Sequence, residues 1–378
     1  MSLRNFSFVR YAVYDDLKNF IKNSEEIVTL KEKFENEFSE ERVWYSNKSQ
    51  VNSDEARADS AWFETSFISN TDEKIWAKFV LNRKPNSQKW YMDTFLIESE
   101  VNKSIISINH FVIGEIIFND SVKGYEFLEN LKNEVQPEDW KYTDFKSPIN
   151  YPILKSYIEH TYDRLKNENK ILISNDKTQV LFNTGLLDKD FLLDVYVLCT
   201  IIRIKIFGKE VDFPSNPEIY LEDNVYILRS FSGQIPKLAK YFSNIDQVVF
   251  NPDLDINMNW KHIFIEREDR IPYEIKEGSI SVKEIVKSFR GNEENIKKLA
   301  KRNYKMVVPQ FYDGEIQFLM PIYLGTEFSG KPSFALVLAL DESKTLYLGT
   351  TILTVEMAYQ NARLIAKPDN PWLVSGLG

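Results

Sequence analysis

The sequence predicts an α+β protein of two units, each with a mostly antiparallel sheet, and with helices packed on the larger unit. A chain of 378 residues exceeds the usual size of a single hydrophobic core, so two domains are expected. Apolar and polar residues alternate in residues 60–99 and again in 316–348, which is typical of half-buried strands. Residues 151–167 and 281–300 instead carry apolar residues at helical spacing.

The chain is predicted to divide into an N-terminal α+β unit, residues 1–110, and a larger domain, residues 111–378. In the N-terminal unit, residues 12–41 predict a helix, and the alternating stretch 60–99 predicts three antiparallel strands separated by polar turn clusters. A further helix is expected at residues 122–135.

The larger domain is predicted to begin with a helix and to end in a β-β-β-α pattern. The expected elements are a helix at 151–167, short strands at 170–173 and 179–182, two helices within 281–305, strands at 316–324, 333–340 and 345–348, and a helix at 355–366. The two helices within 281–305 are expected to be separated at Gly291-Asn292. The run Val248-Val249-Phe250 is expected to be buried.

The charge of the chain is unevenly distributed. The net charge is −9, of which residues 1–150 contribute −7 and residues 151–378 contribute −2. An acidic balance argues against indiscriminate nucleic-acid binding, but it leaves room for one basic face on the larger domain. The acidic N-terminal unit is a possible contact face for a protein partner.

The chain contains a single cysteine, Cys199, in an apolar run. It therefore has no disulfide framework and no cysteine zinc site, and the thiol is expected to lie in the core. The first ten residues lack the apolar core of a signal peptide, and no apolar run reaches the roughly 20 residues that span a bilayer. We expect a soluble, cytoplasmic protein.

Several motifs identify a resemblance. They are Pro137-Glu138-Asp139-Trp140, Thr161-Tyr162-Asp163-Arg164-Leu165, Phe182-Asn183-Thr184-Gly185-Leu186, Val249-Phe250-Asn251-Pro252-Asp253-Leu254, Asn303-Tyr304-Lys305 with Pro309-Gln310, and Asn361-Ala362-Arg363-Leu364. In this order they resemble the bacterial family named domain of unknown function 3825, over roughly residues 111–376. The resemblance implies an association with RNA, because the domain occurs fused to RNA-binding modules. It implies no established activity.

The candidate ligand-binding residues are polar groups beside apolar segments. Asn183, Thr184 and Gly185 follow a predicted strand, and a glycine turn there can expose backbone N–H groups to an anion or a base edge; an ordinary strand end is the alternative. The others are His262, Gln310, Asn361 and Arg363. We expect the five side chains of Asn183, His262, Gln310, Asn361 and Arg363 to form a pocket.

Each of these residues also has a plainer interpretation. Arg363 suits bidentate recognition of phosphate, but an internal salt bridge is equally expected. His262 is a weak candidate for a general acid or base. The three histidines of the chain show no metal-ligand spacing, so no metal site is predicted, and the cofactor is unknown.

The main basic surface lies at the end of the second predicted helix. Lys297, Lys298, Lys301, Arg302 and Lys305 fall within nine residues, beside Tyr304, Phe311 and Tyr312. Lysines for the backbone together with aromatic rings for the bases are typical of proteins that bind single-stranded RNA. A solvated helix face is the alternative.

The preferred hypothesis is a protein that binds single-stranded RNA or RNA ends through the basic helix and the polar pocket, with processing of that RNA left open as an additional activity. A second hypothesis is an enzyme acting on a free nucleotide or a nucleotide-derived signal. A third is a protein-interaction module. The sequence leaves open whether the protein is an enzyme.

Overall fold

A computed structural model describes residues 2–22, 25–83, 88–141, 150–258, 260–261, 263–264, 277, 281–312, 314–323, 332–368 and 373. The chain forms two compact units. Unit 1 consists of residues 1–124 and 200–216, and unit 2 consists of residues 125–199 and 217–378. The α+β class is confirmed. The domain boundary between residues 110 and 111 was placed where the family resemblance begins, and it stays a prediction.

The described helices and strands occur in runs along the chain, as the α+β class implies. The helices are α1 Leu3–Phe6, α2 Val13–Phe20, α3 Ile27–Glu37, α4 Glu98–Ile106, α5 Ser121–Glu134, α6 Pro152–Asn167, α7 Val282–Ala300 and α8 Val355–Ala362. The strands are β1 Ser7–Phe8, β2 Val43–Asn47, β3 Gln50–Val51, β4 Ser60–Ile68, β5 Lys74–Leu81, β6 Trp90–Ile97, β7 Phe111–Ile113, β8 Ile116–Phe118, β9 Leu172–Ile173, β10 Gln179–Leu187, β11 Asp194–Ile206, β12 Lys209–Leu221, β13 Asp255–Met258, β14 Val308–Tyr312, β15 Glu315–Ile322, β16 Phe334–Leu340 and β17 Leu346–Leu353. Among the described helices, none is long and apolar enough to cross a membrane.

Unit 1 contains a six-stranded sheet in the order β1-β6-β5-β4-β2-β3. The three strands expected in residues 60–99 are β4, β5 and β6, and they pair antiparallel. Only the short edge strand β1 pairs parallel, with β6. Helices α2 and α3 bury Tyr14, Leu17, Leu30 and Phe34 against this sheet.

The single helix predicted for residues 12–41 is wrong, because the chain forms two helices, α2 and α3. The first ends at Phe20, and Ile21 adopts an extended conformation. Ile21 pairs as an isolated antiparallel bridge with Ser69, while Asn70 donates its N–H to the Phe20 carbonyl. The chain leaves the helix because pairing with the β4–β5 connection replaces the next helical hydrogen bonds.

Unit 2 contains a five-stranded sheet in the order β13-β17-β16-β15-β14, in which only β13 and β17 are parallel. The predicted β-β-β-α ending is confirmed by β15, β16, β17 and α8. Helix α7 packs its apolar stripe on this sheet, and Ile285, Phe289 and Ile296 are buried there.

The predicted break at Gly291-Asn292 is wrong, because α7 continues through both residues. A Cβ at Gly291 would meet no atom within 4 Å, so nothing there requires a turn. Asn292 is buried on the packed side of the helix, and its Nδ2 donates to the Tyr323 carbonyl at 2.7 Å. An asparagine with a buried partner stabilises the helix in place instead of ending it.

Candidate functional site

Arg363 follows α8 directly and lies in a nearly enclosed site within unit 2. Its Nε donates to Glu138 Oε1 at 2.6 Å, and the two side chains are only 12% and 5% exposed. The guanidinium carbon lies 5.0 Å from the centre of the Trp140 ring and 4.6 Å from that of Tyr157. Tyr359 donates to the same Glu138 oxygen at 3.2 Å. We call these five residues the Arg363 network; its core is the internal salt bridge expected as one of two interpretations.

The Tyr157 hydroxyl extends this network toward β10. A Cβ built on Gly185 would lie 2.8 Å from Tyr157 Oη, and the φ of Gly185 is +73°. Both facts restrict the position to glycine. Burial raises the pKa of Tyr157, while the neighbouring Arg363 and a hydrogen bond with Thr161 oppose that rise. Tyr157 is therefore a neutral hydrogen-bonding group at ordinary pH.

Gln310 and Asn361 are brought together by the fold. Gln310 lies on β14, is 1% exposed, and accepts a hydrogen bond from Asn361 Nδ2 at 3.1 Å. Its own Nε2 donates to Gln317 Oε1 at 3.0 Å, across the pair of strands β14 and β15. The buried amide of Gln310 therefore joins the C-terminal helix to the sheet.

Asn183, Thr184 and Gly185 lie within β10, so the prediction that they follow the strand is wrong. Asn183 Nδ2 donates to Asp194 Oδ2 at 2.8 Å, and its Oδ1 accepts the Gly185 N–H at 2.8 Å. Thr184 Oγ1 donates to the Val195 carbonyl at 2.7 Å. These polar atoms make hydrogen bonds within the fold, around the positive φ of Gly185. A role for them in binding a ligand stays a prediction.

An open apolar groove of about 290 Å³ lies in unit 2. Its walls come from residues 242–249, 304–309 and 362–368. Two lysines, Lys305 and Lys367, line it together with Tyr304, whose side chain is 63% exposed. We call it the Tyr304 groove. Gln310 and Asn361 lie directly beside two of its walls without lining it, so their hydrogen bond connects those walls.

The groove wall formed by residues 242–249 follows a segment that charged groups hold to the end of α6. Glu168 accepts the Lys240 N–H at 3.1 Å, and Arg164 donates to the Lys240 carbonyl at 2.7 Å. Lys170 contacts Glu168 at 2.7 Å. Burial raises the pKa of Glu168, but the hydrogen bonds from Lys170 and Lys240 and the charge of Arg164 outweigh it and hold that pKa below its ordinary value. These contacts fix the segment that leads into Phe242.

The predicted basic surface is present at the end of α7, and part of it is paired. The ammonium groups of three lysines contact carboxylates: Lys297 with Glu293 at 2.9 Å, Lys298 with Glu294 at 3.9 Å, and Lys301 with Asp253 at 2.5 Å. Lys297 is only 17% exposed, whereas Lys298 and Lys301 are 66% and 51% exposed. Arg302 and Lys305 are exposed as well.

The aromatic residues next to the basic surface differ in their surroundings. Phe311 packs against Tyr241, with ring centres 5.0 Å apart, and the Arg164 guanidinium lies over it at 5.1 Å. Tyr312 is 40% exposed. Tyr304 is thus the most exposed of the three predicted stacking residues.

Sequence reasoning missed most of the groove. Val249 was expected in the core, yet it is 38% exposed and lines the groove, and Ile245 beside it is 63% exposed. Lys367 and Glu138 were also not proposed as functional partners. The one signal in the sequence for the wall of residues 242–249 was the apolar pair Val248-Val249, which follows the polar residues Ser243, Asn244 and Asp246.

Two further sequence predictions concern His262, as a site residue, and Cys199, as a core residue. His262 lies outside the described residues. Cys199 is buried in β11, and burial raises the pKa of its thiol, which confirms the expected core position. Across the described ranges, no group of three or more His, Cys, Asp or Glu side chains is arranged to hold a metal ion.

Comparison with known proteins gives one match. The family model described as Domain of unknown function (DUF3825) matches residues 131–372. No curated protein and no solved structure matches the chain. The Tyr304 groove and the Arg363 network both lie inside the matched residues, as does the basic end of α7. Since the match covers more than half of the 378 residues, the chain belongs to the DUF3825 family.

Proposed function

We propose that unit 2 binds single-stranded RNA, with an unstacked base in the Tyr304 groove and the phosphates on the neighbouring cations. The observation that carries this proposal is the position of Tyr304 and Lys305. They follow the basic end of α7, and they line an open apolar groove. An exposed ring beside cations and apolar walls suits a base with its attached phosphate.

The size of the groove favours one base over a duplex. Its volume of about 290 Å³ is close to the lower end of small-molecule sites, roughly 300–1,000 Å³. Pro309 and Ile365 line it on two sides, and both offer apolar surface to the faces of a planar ring. Since such contacts do not read base edges, we expect weak sequence preference.

The cations available for phosphates are those whose present ion pairs are weak. Exposed lysine–carboxylate pairs contribute only about 0–1 kcal/mol, so phosphate can replace Glu294 at Lys298 and Asp253 at Lys301. Lys297 is mostly enclosed with Glu293, and we expect it to contribute least. Lys305 and Lys367 line the groove itself.

The first test measures the affinity of the full chain for a fluorescein-labelled 12-nucleotide single-stranded RNA by anisotropy. Tyr304→Ala is expected to weaken binding by about tenfold or more, because stacking of one base contributes roughly 1–3 kcal/mol. Tyr226→Ala is the matched control, since Tyr226 is 69% exposed, belongs to the same unit and does not line the groove. Equal reductions in affinity for both variants would contradict the proposal.

The second test reverses charge on α7 and just beyond it. The pair Lys301→Glu and Arg302→Glu is expected to reduce affinity and to flatten the slope of log K against log salt, by about 0.7 for each phosphate that the protein no longer neutralises. Lys287→Glu is the control, because Lys287 is an exposed lysine earlier on the same helix. RNA affinity that changes neither with salt nor with these variants would contradict the proposed phosphate contacts. Turnover of a free nucleotide that groove variants abolish would support an enzyme.

A further inference from the structure

Unit 1 contains a second pocket, of about 300 Å³, which the RNA proposal does not use. It lies among α1, β1, α2 and α3, with Gln88 closing one side. Its walls combine three aromatic rings, two cations and one carboxylate: Phe8, Tyr11, Tyr14, Arg4, Lys31 and Glu35. We call it the Tyr14 pocket.

Tyr14 contributes a buried polar atom that lacks a partner. The residue is 2% exposed, and its hydroxyl makes no hydrogen bond within the part of the chain that the structure describes. Burial and the charge of Glu35 raise the pKa of this hydroxyl, while the charge of Arg4 opposes that rise. The hydroxyl therefore interacts electrostatically with two charged residues that line the same pocket. A buried hydroxyl without a partner is unfavourable. Because this oxygen is closed off from solvent, a ligand in the pocket accepts a hydrogen bond from it once the side chains that cover it move aside.

The rings and cations of the pocket are accessible. Phe8 is 46% exposed and Tyr11 is 55% exposed. The Lys31 ammonium lies 5.9 Å from the centre of the Tyr11 ring, and Arg4, whose side chain is 76% exposed, contacts Glu35 at 3.2 Å. Exposed rings suit a planar heterocycle, and two cations beside them suit an anion attached to it.

Gln88 adds an amide whose orientation is fixed. Its Nε2 donates to the Arg4 carbonyl at 2.9 Å. The amide oxygen can accept a hydrogen bond from an exocyclic amino group, as can the Glu35 carboxylate. The pocket thus contains a donor and two acceptors beside the rings, the combination that a nucleobase edge requires.

We infer that the Tyr14 pocket binds a mononucleotide, with its base against Phe8 and Tyr11 and its phosphate near Lys31 and Arg4. The Tyr14 hydroxyl donates to an acceptor of the base. This site lies in unit 1 and shares no residue with the Tyr304 groove, so it does not depend on RNA binding by unit 2.

Isothermal titration calorimetry of the full chain with AMP, GMP, CMP and UMP tests the inference. Tyr14→Phe removes one oxygen and is expected to weaken the preferred nucleotide by up to about tenfold, the value of one hydrogen bond. The same variant should unfold at an equal or higher urea concentration, because it removes a buried hydroxyl without a partner. Reduced affinity with undiminished stability separates ligand contact from misfolding.

A second pair of variants tests the phosphate. Lys31→Gln is expected to weaken the nucleotide about fivefold or more, because a charge-assisted hydrogen bond is removed, while leaving the matching nucleoside unchanged. Lys33→Gln is the control, because Lys33 lies on the same helix, pairs with Glu25 at 2.7 Å and does not line the pocket.

Three results would overturn the inference. They are no heat of binding for any of the four nucleotides at millimolar concentration, affinity unchanged in both Tyr14→Phe and Lys31→Gln, and mononucleotide binding that Tyr304→Ala abolishes while Tyr14→Phe preserves it. The last result would assign the nucleotide to unit 2. None of the three removes the separate RNA test, which uses a labelled oligonucleotide and groove variants.

Discussion

The Arg363 network and the Tyr304 groove lie next to each other along one C-terminal segment, and they are opposite in character. Arg363 turns a charge inward, where Glu138 pairs with it and two rings cover it. Ala362 and Ile365, its neighbours in sequence, line an open groove. In this segment the polar side chains of Asn361 and Arg363 bond within the fold, whereas the groove beside them is open and mostly apolar.

The two regions are connected through hydrogen bonds behind the groove. Gln310 adjoins the wall that contains Pro309, and Asn361 adjoins the wall that begins at Ala362. Their hydrogen bond links these walls, and the salt bridge of Arg363 fixes the end of the same helix. The Arg363 network and this hydrogen bond therefore hold residues next to two walls of the groove, and none of the residues involved lines it. Variants in the network should change stability, and variants in the groove should change binding.

Glu138→Ala is expected to have the largest effect on the free energy of unfolding. It leaves the Arg363 charge buried without its carboxylate, and breaking a buried pair on one side costs about 3–5 kcal/mol. Urea denaturation should show this decrease in stability. The double variant Glu138→Leu with Arg363→Met removes both charges and should be clearly less destabilised. If Glu138→Ala costs under about 1 kcal/mol, solvent reaches Arg363 and the network is not structural.

How far the sequence predicted this arrangement depends on the range of the interactions. The strands β4, β5 and β6 and the β-β-β-α ending follow from local alternation, since period two needs only neighbouring residues. The apolar stripe of α7 follows from its local spacing as well. The predicted break at Gly291-Asn292 failed because propensity cannot foresee that Asn292 donates to the Tyr323 carbonyl, 31 residues away.

The site was harder to predict for the same reason. Arg363 and Glu138 are 225 residues apart, so the sequence left two interpretations of the arginine open. Val249 was expected in the core because apolar residues usually pack inside, yet no neighbouring element covers it fully. The position of Tyr304 beside cations was visible in the sequence. The groove that Tyr304 lines became visible only in the folded structure.

A second prediction concerns the bond that joins the two groove walls. Gln310→Leu leaves Asn361 Nδ2 and Gln317 Oε1 without their partner, which should cost about 1–3 kcal/mol. RNA affinity should fall too, although Gln310 does not line the groove. The double variant Gln310→Leu with Asn361→Leu is the control, because removing both polar partners should recover part of the stability. Unchanged affinity in Gln310→Leu would show that the groove does not depend on the bond.

A third prediction concerns the pH dependence of stability that arises from Glu168, which holds the segment leading into the groove wall of residues 242–249. Since the pKa of folded Glu168 lies below the ordinary value of 4.5, its contribution to stability is present above pH 4.5 and is lost as pH falls through the lower, folded value. Glu168→Gln should cost about 1 kcal/mol at pH 7, and its difference from the natural chain should shrink below pH 4.5. Denaturation midpoints at several pH values measure this. A difference that grows on acidification would contradict the assigned pairing.

The smallest effect on stability is expected in the groove itself, and it is the sharpest test of the contrast. Tyr304 is 63% exposed and Ile245 is 63% exposed, so Tyr304→Ala and Ile245→Ser should each change the free energy of unfolding by no more than about 0.5 kcal/mol. Both should nevertheless weaken RNA binding, because they remove surface that the base would contact. A destabilisation above about 1 kcal/mol in Tyr304→Ala would mean that the ring supports the fold. The two regions would then no longer divide stability from binding, and the weaker RNA binding could not be assigned to stacking.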